Sequence, residues 1–194
     1  MEVLAFIIFL FVGLVSLSAS KPRFTQDQQS LGKTWIQCPE QTPDHAFDMT
    51  VLRVIDGDSL KVRIAEVYLD DSNNVTRNHE TELRLRDIDA PEFFQRGGQA
   101  AKKALEKVLK GKNLKAVVLT DTDYYGRLLA TVYLDDRNIS LEMVANGLAW
   151  IDTKYNKDQK YWRVLKEAQS KKLGIWDGGK NMPPWIFRKL KRKS

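Results

Sequence analysis

Carboxylates and arginines are the groups in this sequence that could do chemistry. Asp56 and Asp58 bracket Gly57 in a turn signal, Asp87, Asp89 and Glu92 gather around Pro91, and Arg84 stands just upstream of that cluster. Further along, Asp123-Tyr124-Tyr125-Gly126-Arg127 places another arginine after another aspartate. A carboxylate can bind a hard cation or take a proton from water, and a guanidinium offers phosphate oxygens a planar fork that stays charged. Phosphodiester hydrolysis needs charge neutralisation at the phosphoryl oxygens, a base for water, and a firm hold for in-line attack. Histidine is confined to His45 and His79, so chemistry built on paired histidines is a poor fit. Any metal must then be held by oxygen, which suits calcium or magnesium. Taken singly, each residue has a commoner structural explanation: a hairpin turn for Asp-Gly-Asp, a solvated strand face for Arg84, and plain exposure for Glu92.

The elements that would position these groups are legible from periodicity. Met49–Ile55 and Ser59–Tyr68 suit strands, with Leu60, Val62 and Ile64 alternating against Lys61 and Arg63 around the Asp56-Gly57-Asp58 turn. Asp70–Glu80 is acidic and Asn-rich and is expected to be an exposed hairpin tip. A third strand, Thr81–Ile88, stops before Pro91. Gln99–Leu109 carries Ala101, Ala104, Leu105 and Val108 at helical spacing, with Gly111 as its stop. Strands Leu114–Leu119 and Leu128–Leu134 flank a polar turn at Asp121–Arg127. A helix over Ser140–Asn146, with Ser140 as N-cap and Gly147 as stop, precedes the longest helix, Lys157–Lys172. Strands come first, helices come late and no repeat is visible, which predicts an α+β fold: a small, strongly twisted barrel with about three packed helices.

Composition sets the outer bounds. The chain has 194 residues, 43% of them apolar, enough for one domain with a real core. A net charge of +6 favours polyanionic partners such as nucleic acid or anionic membrane, without saying anything of chemistry. Residues 3–15 are an unbroken apolar run followed by small residues and Lys21-Pro22-Arg23, the pattern of a secretory signal ending near Ala19 or Ser20. The competing expectation is an uncleaved membrane anchor over residues 3–19. Residues 1–20 are thus expected to be a signal peptide or anchor, residues 21–47 a linker marked by Pro22, Pro39 and Pro43, residues 48–180 the domain, and residues 181–194 a basic tail. The single cysteine, Cys38, rules out an intrachain disulfide and has no neighbouring ligand or base, so it is expected to be structural. Asn74-Val75-Thr76 and Asn138-Ile139-Ser140 match the glycosylation acceptor pattern.

In order, Val54-Ile55-Asp56-Gly57-Asp58-Ser59, then Arg84 through Glu92, Asp123 through Arg127, Gly147-Leu148-Ala149, and Glu167-Ala168-Gln169 leading to Leu173-Gly174-Ile175-Trp176, resemble the staphylococcal nuclease family over about residues 49–177. The resemblance implies a five-stranded OB-type barrel and a calcium-dependent nuclease acting on DNA and RNA, with low sequence specificity and 3′-phosphate products. It implies Asp58, Asp89 and the Ala90 backbone carbonyl as calcium ligands, Glu92 as general base, and Arg84 and Arg127 as phosphate clamps. Tyr125 and Tyr155 fall near positions that line the nucleotide pocket. Ser59 departs from the family's usual threonine, and the Asp70–Glu80 insertion lengthens the path from Asp58 to Arg84. A non-catalytic nucleic-acid-binding module on the same barrel is the alternative; such a module would lack the metal carboxylates or the arginines, which are present here. An exported, monomeric protein is the default expectation, with anchoring to a membrane surface through residues 3–19 as a variant of it.

Overall fold

The computed structural model describes residues 35–69, 74–178 and 181–192. Five strands close into a barrel: β1 (Phe47–Val54), β2 (Ser59–Leu69), β3 (Asn74–Leu85), β5 (Asn113–Thr122) and β6 (Leu128–Tyr133), in the order β1-β2-β3-β6-β5. All neighbours are antiparallel except β3 and β6, which pair in parallel through Leu83, Arg84 and Leu85. That closure is the OB-type α+β barrel expected from the sequence. Alternation explains its interior. Met49, Val51 and Val54 of β1, Leu60 and Val62 of β2, Leu83 and Leu85 of β3, Leu114 and Ala116 of β5, and Ala130 and Val132 of β6 are buried, each set spaced by about two along its strand.

Helix α1 (Gly98–Leu109) lays Ala101, Leu105 and Leu109 on the barrel. Helices α2 (Ile139–Ala145) and α3 (Gln159–Ser170) pack on each other; α3 contributes Tyr161, Val164, Leu165 and Ala168 to the core. A two-stranded ribbon joins β4 (Ile88–Asp89) to β7 (Trp150–Ile151).

Several sequence expectations need correction. Asp70–Glu80 is not a loop through its length: β3 begins at Asn74, and its backbone pairs with β2 from Leu69↔Asn74 to Ser59↔Arg84. Extra length in this hairpin therefore extends its far end. Ser59 and Arg84 face each other at its base, so the insertion leaves their spacing untouched. Asn138, not Ser140, caps α2, because its Oδ1 accepts the Leu141 amide at 3.1 Å while Ser140 is buried inside the first turn. Asn138 also donates to Glu40 at 2.9 Å and is buried, so the second glycosylation triplet has its amide nitrogen inside the fold. The side chain of Asn74 lies outside the described residues. The Lys157–Lys172 helix is shorter than expected, capped by Asp158, and α1 equals it in length.

The expected linker is, from Trp35 onward, part of the domain. Trp35 and Cys38 are buried, and both reach the carboxylate of Glu142: Trp35 Nε1 donates at 2.8 Å and the Cys38 amide at 2.9 Å. Glu142 is fully buried, and burial pushes its carboxyl up, opposed by the Trp35 bond and by Arg137 at 3.7 Å. An ordinary-looking acidic helix residue thus ties the N-terminal segment to α2. Cys38 is held in the same interior, where burial raises its thiol to about 12, with Glu142 adding to the effect. A thiol held so far above its ordinary value supplies almost no thiolate at neutral pH. We expect an aromatic-disulfide thiol reagent at pH 8 to find no reactive thiol in the native protein and one equivalent after denaturation. Fast reaction of the native protein would contradict the packing described for Cys38.

A fourth helix, α4 (Pro184–Lys191), forms within the expected basic tail. Pro184 at its first position has no amide to leave unsatisfied and a φ already suited to a helix. Among the described residues no helix is long and apolar enough to cross a membrane; residues 3–19 lie outside them.

Candidate active site

The three motif segments converge on one open cleft of about 810 Å³, lined by Asp58, Arg84, Ala90, Glu92, Tyr125, Arg127 and Tyr155, among others. Local geometry explains each position. The β1–β2 turn closes with the Ile55 amide on the Ser59 carbonyl at 2.8 Å, and Asp56 Oδ1 accepts the Asp58 amide at 3.0 Å. Asp58 is thereby aimed across the barrel mouth. Its carbonyl accepts the Leu85 amide at 2.7 Å, which locks the turn to the end of β3 next to Arg84. After Arg84 the chain turns through Asp87, which sits at φ 73°, and re-enters a strand at β4, where Asp89 pairs with Trp150.

Asp58 and Asp89 are each 4% exposed and share the fork of Arg84. Nη1 of Arg84 donates to Asp58 Oδ1 at 2.5 Å, and Nη2 donates to Asp89 Oδ1 and to the Ile88 carbonyl, both at 3.2 Å. The Ala90 amide donates to Asp58 Oδ2 at 2.8 Å. Burial pushes the Asp58 carboxyl up, with Arg84, the Ala90 amide and the Ser59 hydroxyl opposing that rise. Burial also disfavours the charge on Arg84, but Asp58 and Asp89 outweigh it and hold the guanidinium firmly protonated.

Arg127 is set by a second turn. Asp123 Oδ1 accepts the amides of Tyr125 and Arg127, both at 2.9 Å, while Oδ2 takes Arg127 Nε at 2.8 Å and Nη2 at 2.7 Å. Burial would raise the Asp123 carboxyl, yet these bonds hold it below the usual carboxylate range. Gly126, at φ 77°, lets the chain make this turn without strain. Arg127 Nη1 then donates to Ser59 Oγ at 2.9 Å, and Ser59 donates to Asp58 at 3.0 Å. The hydroxyl after the Asp-Gly-Asp turn therefore links the two arginines through one carboxylate, and serine supplies it as well as threonine would. Tyr125 and Tyr155 are 70% and 58% exposed at the rim, with Arg127 and Lys154 respectively over their rings.

Gly57 is a point of close approach behind Asp58. A Cβ there would lie 2.6 Å from the Ala90 methyl and 2.9 Å from that of Ala101. Gly57→Ala must push the Asp58 turn away from Ala90 and α1. We expect about a hundredfold lower turnover, the order that misplacement of about an ångström costs, with a lowered melting temperature; turnover at the wild-type level would show that this close approach does not position the site.

The sequence missed one participant. Arg188 of α4 reaches into the cleft and pairs with both Asp89 and Glu92. On sequence, residues 181–194 read only as a basic tail, and the Pro183-Pro184 step is the one local signal of an ordered element there.

The residues matched by the family model described as "Staphylococcal nuclease homologue" are 82–178, half of the chain. An uncharacterized endonuclease of Escherichia coli O157:H7 is 35% identical over 142 residues, covering 73% of this chain and 84% of that protein. This chain belongs to the staphylococcal nuclease family. A probable staphylococcal-like nuclease of rice (Oryza sativa subsp. japonica) is 39% identical over 110 residues, which are 57% of this chain and 33% of the rice protein. An uncharacterized endonuclease of Haemophilus influenzae is 36% identical over 115 residues, 59% of this chain and 64% of that protein. The chain thus spans about a third of the rice relative and most of the bacterial ones. Within the staphylococcal nuclease family model's span lie Arg84, Asp89, Glu92 and Arg127; Asp58 precedes it and joins the group through the hairpin base.

Proposed function

We propose that this protein is a calcium-dependent nuclease that hydrolyses phosphodiester bonds of DNA and RNA with little sequence preference and leaves 3′-phosphates. One observation carries the reading: the buried Asp58, the anchored Arg84 and Arg127 and the accessible Glu92 line a single open cleft, with the buried Asp89 bonded to Arg84 beside it. A binding-only module has no use for the buried Asp58 and Asp89, whose charge needs cations to offset it.

The donor set fits a hard cation. Among the described residues no group of three or more His, Cys, Asp or Glu side chains forms a metal-holding cluster. Asp58 and Asp89, with the Ala90 carbonyl, would hold calcium and leave positions for water and a phosphate oxygen. That Asp89 already holds the cationic Arg188 shows that the position attracts positive charge. Bound calcium would neutralise charge on the phosphoryl group. Arg84 and Arg127 grip the non-bridging oxygens and stay charged as negative charge develops in the transition state. Glu92 accepts a proton from water, the water oxygen bonds to phosphorus, and the P–O5′ bond breaks. The 5′-oxygen takes a proton from solvent and leaves as a hydroxyl, Glu92 returns its proton to solvent, and the phosphate stays on the 3′ side. The exposed rings of Tyr125 and Tyr155 offer stacking surfaces for bases, and nothing in the motifs selects for or against a 2′-hydroxyl. Residues 1–20 are proposed to direct export, either as a cleaved signal or as an anchor, and the protein is proposed to act as a monomer.

The test is a panel of single-stranded DNA, duplex DNA and RNA incubated with calcium, magnesium or a calcium chelator, with product ends identified by mass spectrometry. Calcium-dependent cleavage of all three to 3′-phosphate ends is expected. Products with 5′-phosphate ends, or cleavage indifferent to the chelator, would contradict the reading.

A further inference from the structure

Helix α4 follows the span matched by the family model, yet it delivers a guanidinium to the centre of the site. Arg188 Nη2 donates to Asp89 Oδ2 at 2.7 Å, and Nη1 donates both to Asp89 Oδ1 at 3.0 Å and to Glu92 Oε1 at 2.8 Å. Both oxygens of Asp89 are thus engaged by one arginine, with Arg84 also on Oδ1. A divalent cation at Asp89 would have to displace this fork, because like charges at such range repel strongly where solvent is scarce. Glu92 is engaged at the same time: its Oε1 already accepts the Arg188 guanidinium, so that oxygen is not free to take a water. A single side chain therefore covers the cation position and the base together.

The helix is built to be released. Only Pro184 of α4 is fully buried; Trp185, Ile186 and Leu190 keep 42%, 39% and 53% of their surface exposed and Phe187 is half-buried, so the helix is held by a partly covered apolar face rather than by a core. The segment leading into it is held by the Gln95 amide on the Met182 carbonyl, next to the glutamate turn where the Gln95 side chain also accepts the Glu92 amide. Arg188 is 37% exposed, so its pairs with Asp89 and Glu92 hold the helix in a competition that another cation can win.

We propose that α4 is a C-terminal strap whose Arg188 competes with the divalent cation for Asp89 and holds Glu92 out of use until that cation binds. The proposal rests on the calcium reading of the site. A docked population of about 90% would weaken apparent calcium affinity about tenfold, since the apparent constant scales with the fraction of competent protein.

The experiment is calorimetric titration of the metal-free, full chain with calcium, for the wild type, Arg188→Ala and Arg188→Lys, with circular dichroism to verify folding. Arg188→Ala is expected to bind calcium about tenfold more tightly. Arg188→Lys, which keeps the charge but loses the fork, should fall between; if the alanine variant fails to fold, the lysine variant decides by the same direction. Equal affinity in wild type and variants overturns the strap, and weaker binding of DNA by Arg188→Ala with unchanged calcium affinity overturns it in favour of a third phosphate contact. Absence of calcium binding by every protein overturns the calcium reading and the strap with it, whereas equal binding overturns the strap alone.

Discussion

Glu92→Gln is expected to lower turnover by about 10²–10⁴-fold, the usual contribution of a positioned general base, while leaving the fold intact. The substitution keeps the shape and removes the group proposed to accept the proton. Glu92 is about one third exposed, and its side chain bonds to Arg188, itself on the surface helix. Stability should therefore change by no more than about 0.5 kcal/mol, as for other pairs open to solvent. The measurement is turnover at saturating substrate, with unfolding followed by circular dichroism. A retained rate would remove Glu92 from the mechanism, and a lost rate with lost structure would remove its independence from the fold.

Arg84→Ala combines two losses. It removes a clamp on the phosphate, expected to cost about 10²–10³-fold in turnover, and it strips the shared counter-ion from two buried carboxylates. Asp58 and Asp89 each show about 5% of their side chains to solvent. Removing one partner from a buried ion pair costs on the order of 3–5 kcal/mol; here the loss falls on Asp58, whose ion pair is with Arg84, while Asp89 keeps Arg188. The pH dependence has a definite sign. Burial already raises the Asp58 carboxyl above its ordinary 3.8, and losing Arg84 raises it further. A raised carboxyl binds its proton more tightly in the folded state than in the unfolded one. The penalty is therefore fully present above the folded value and fades as pH falls through it towards the unfolded value. The stability gap between wild type and Arg84→Ala, measured by urea unfolding, should be widest at neutral pH and narrow in acid. A gap that widens in acid would contradict the ion-pair account.

The contrast between these two variants follows from where the sequence was informative. Arg84, Asp89, Glu92 and Arg127 are readable because the ordered motifs that hold them resemble the staphylococcal nuclease family; taken singly, each has a commoner structural explanation. The barrel was readable from local pattern, since Leu60, Val62, Leu83 and Leu85 alternate in short range. What escaped depends on distant partners. Glu142 looks like an ordinary polar residue of a short helix, and only the fold brings Trp35 and Cys38 onto its two oxygens. Asn74–Glu80 reads as a loop because its composition is polar, while backbone pairing with β2 makes it a strand. Arg188 sits in a run of like charges, which on its own predicts a solvated end. Its role exists only because α4 folds back over Asp89 and Glu92.

The central claim is that the cleft cuts nucleic acid with calcium in place. The most direct measurement is the initial rate at which the purified protein cleaves a fluorophore–quencher single-stranded DNA, first with calcium and then after excess chelator. Rapid cleavage that stops with the chelator and resumes when calcium is restored is the predicted result. A folded protein that binds the DNA yet leaves it uncut at every calcium concentration would contradict the account.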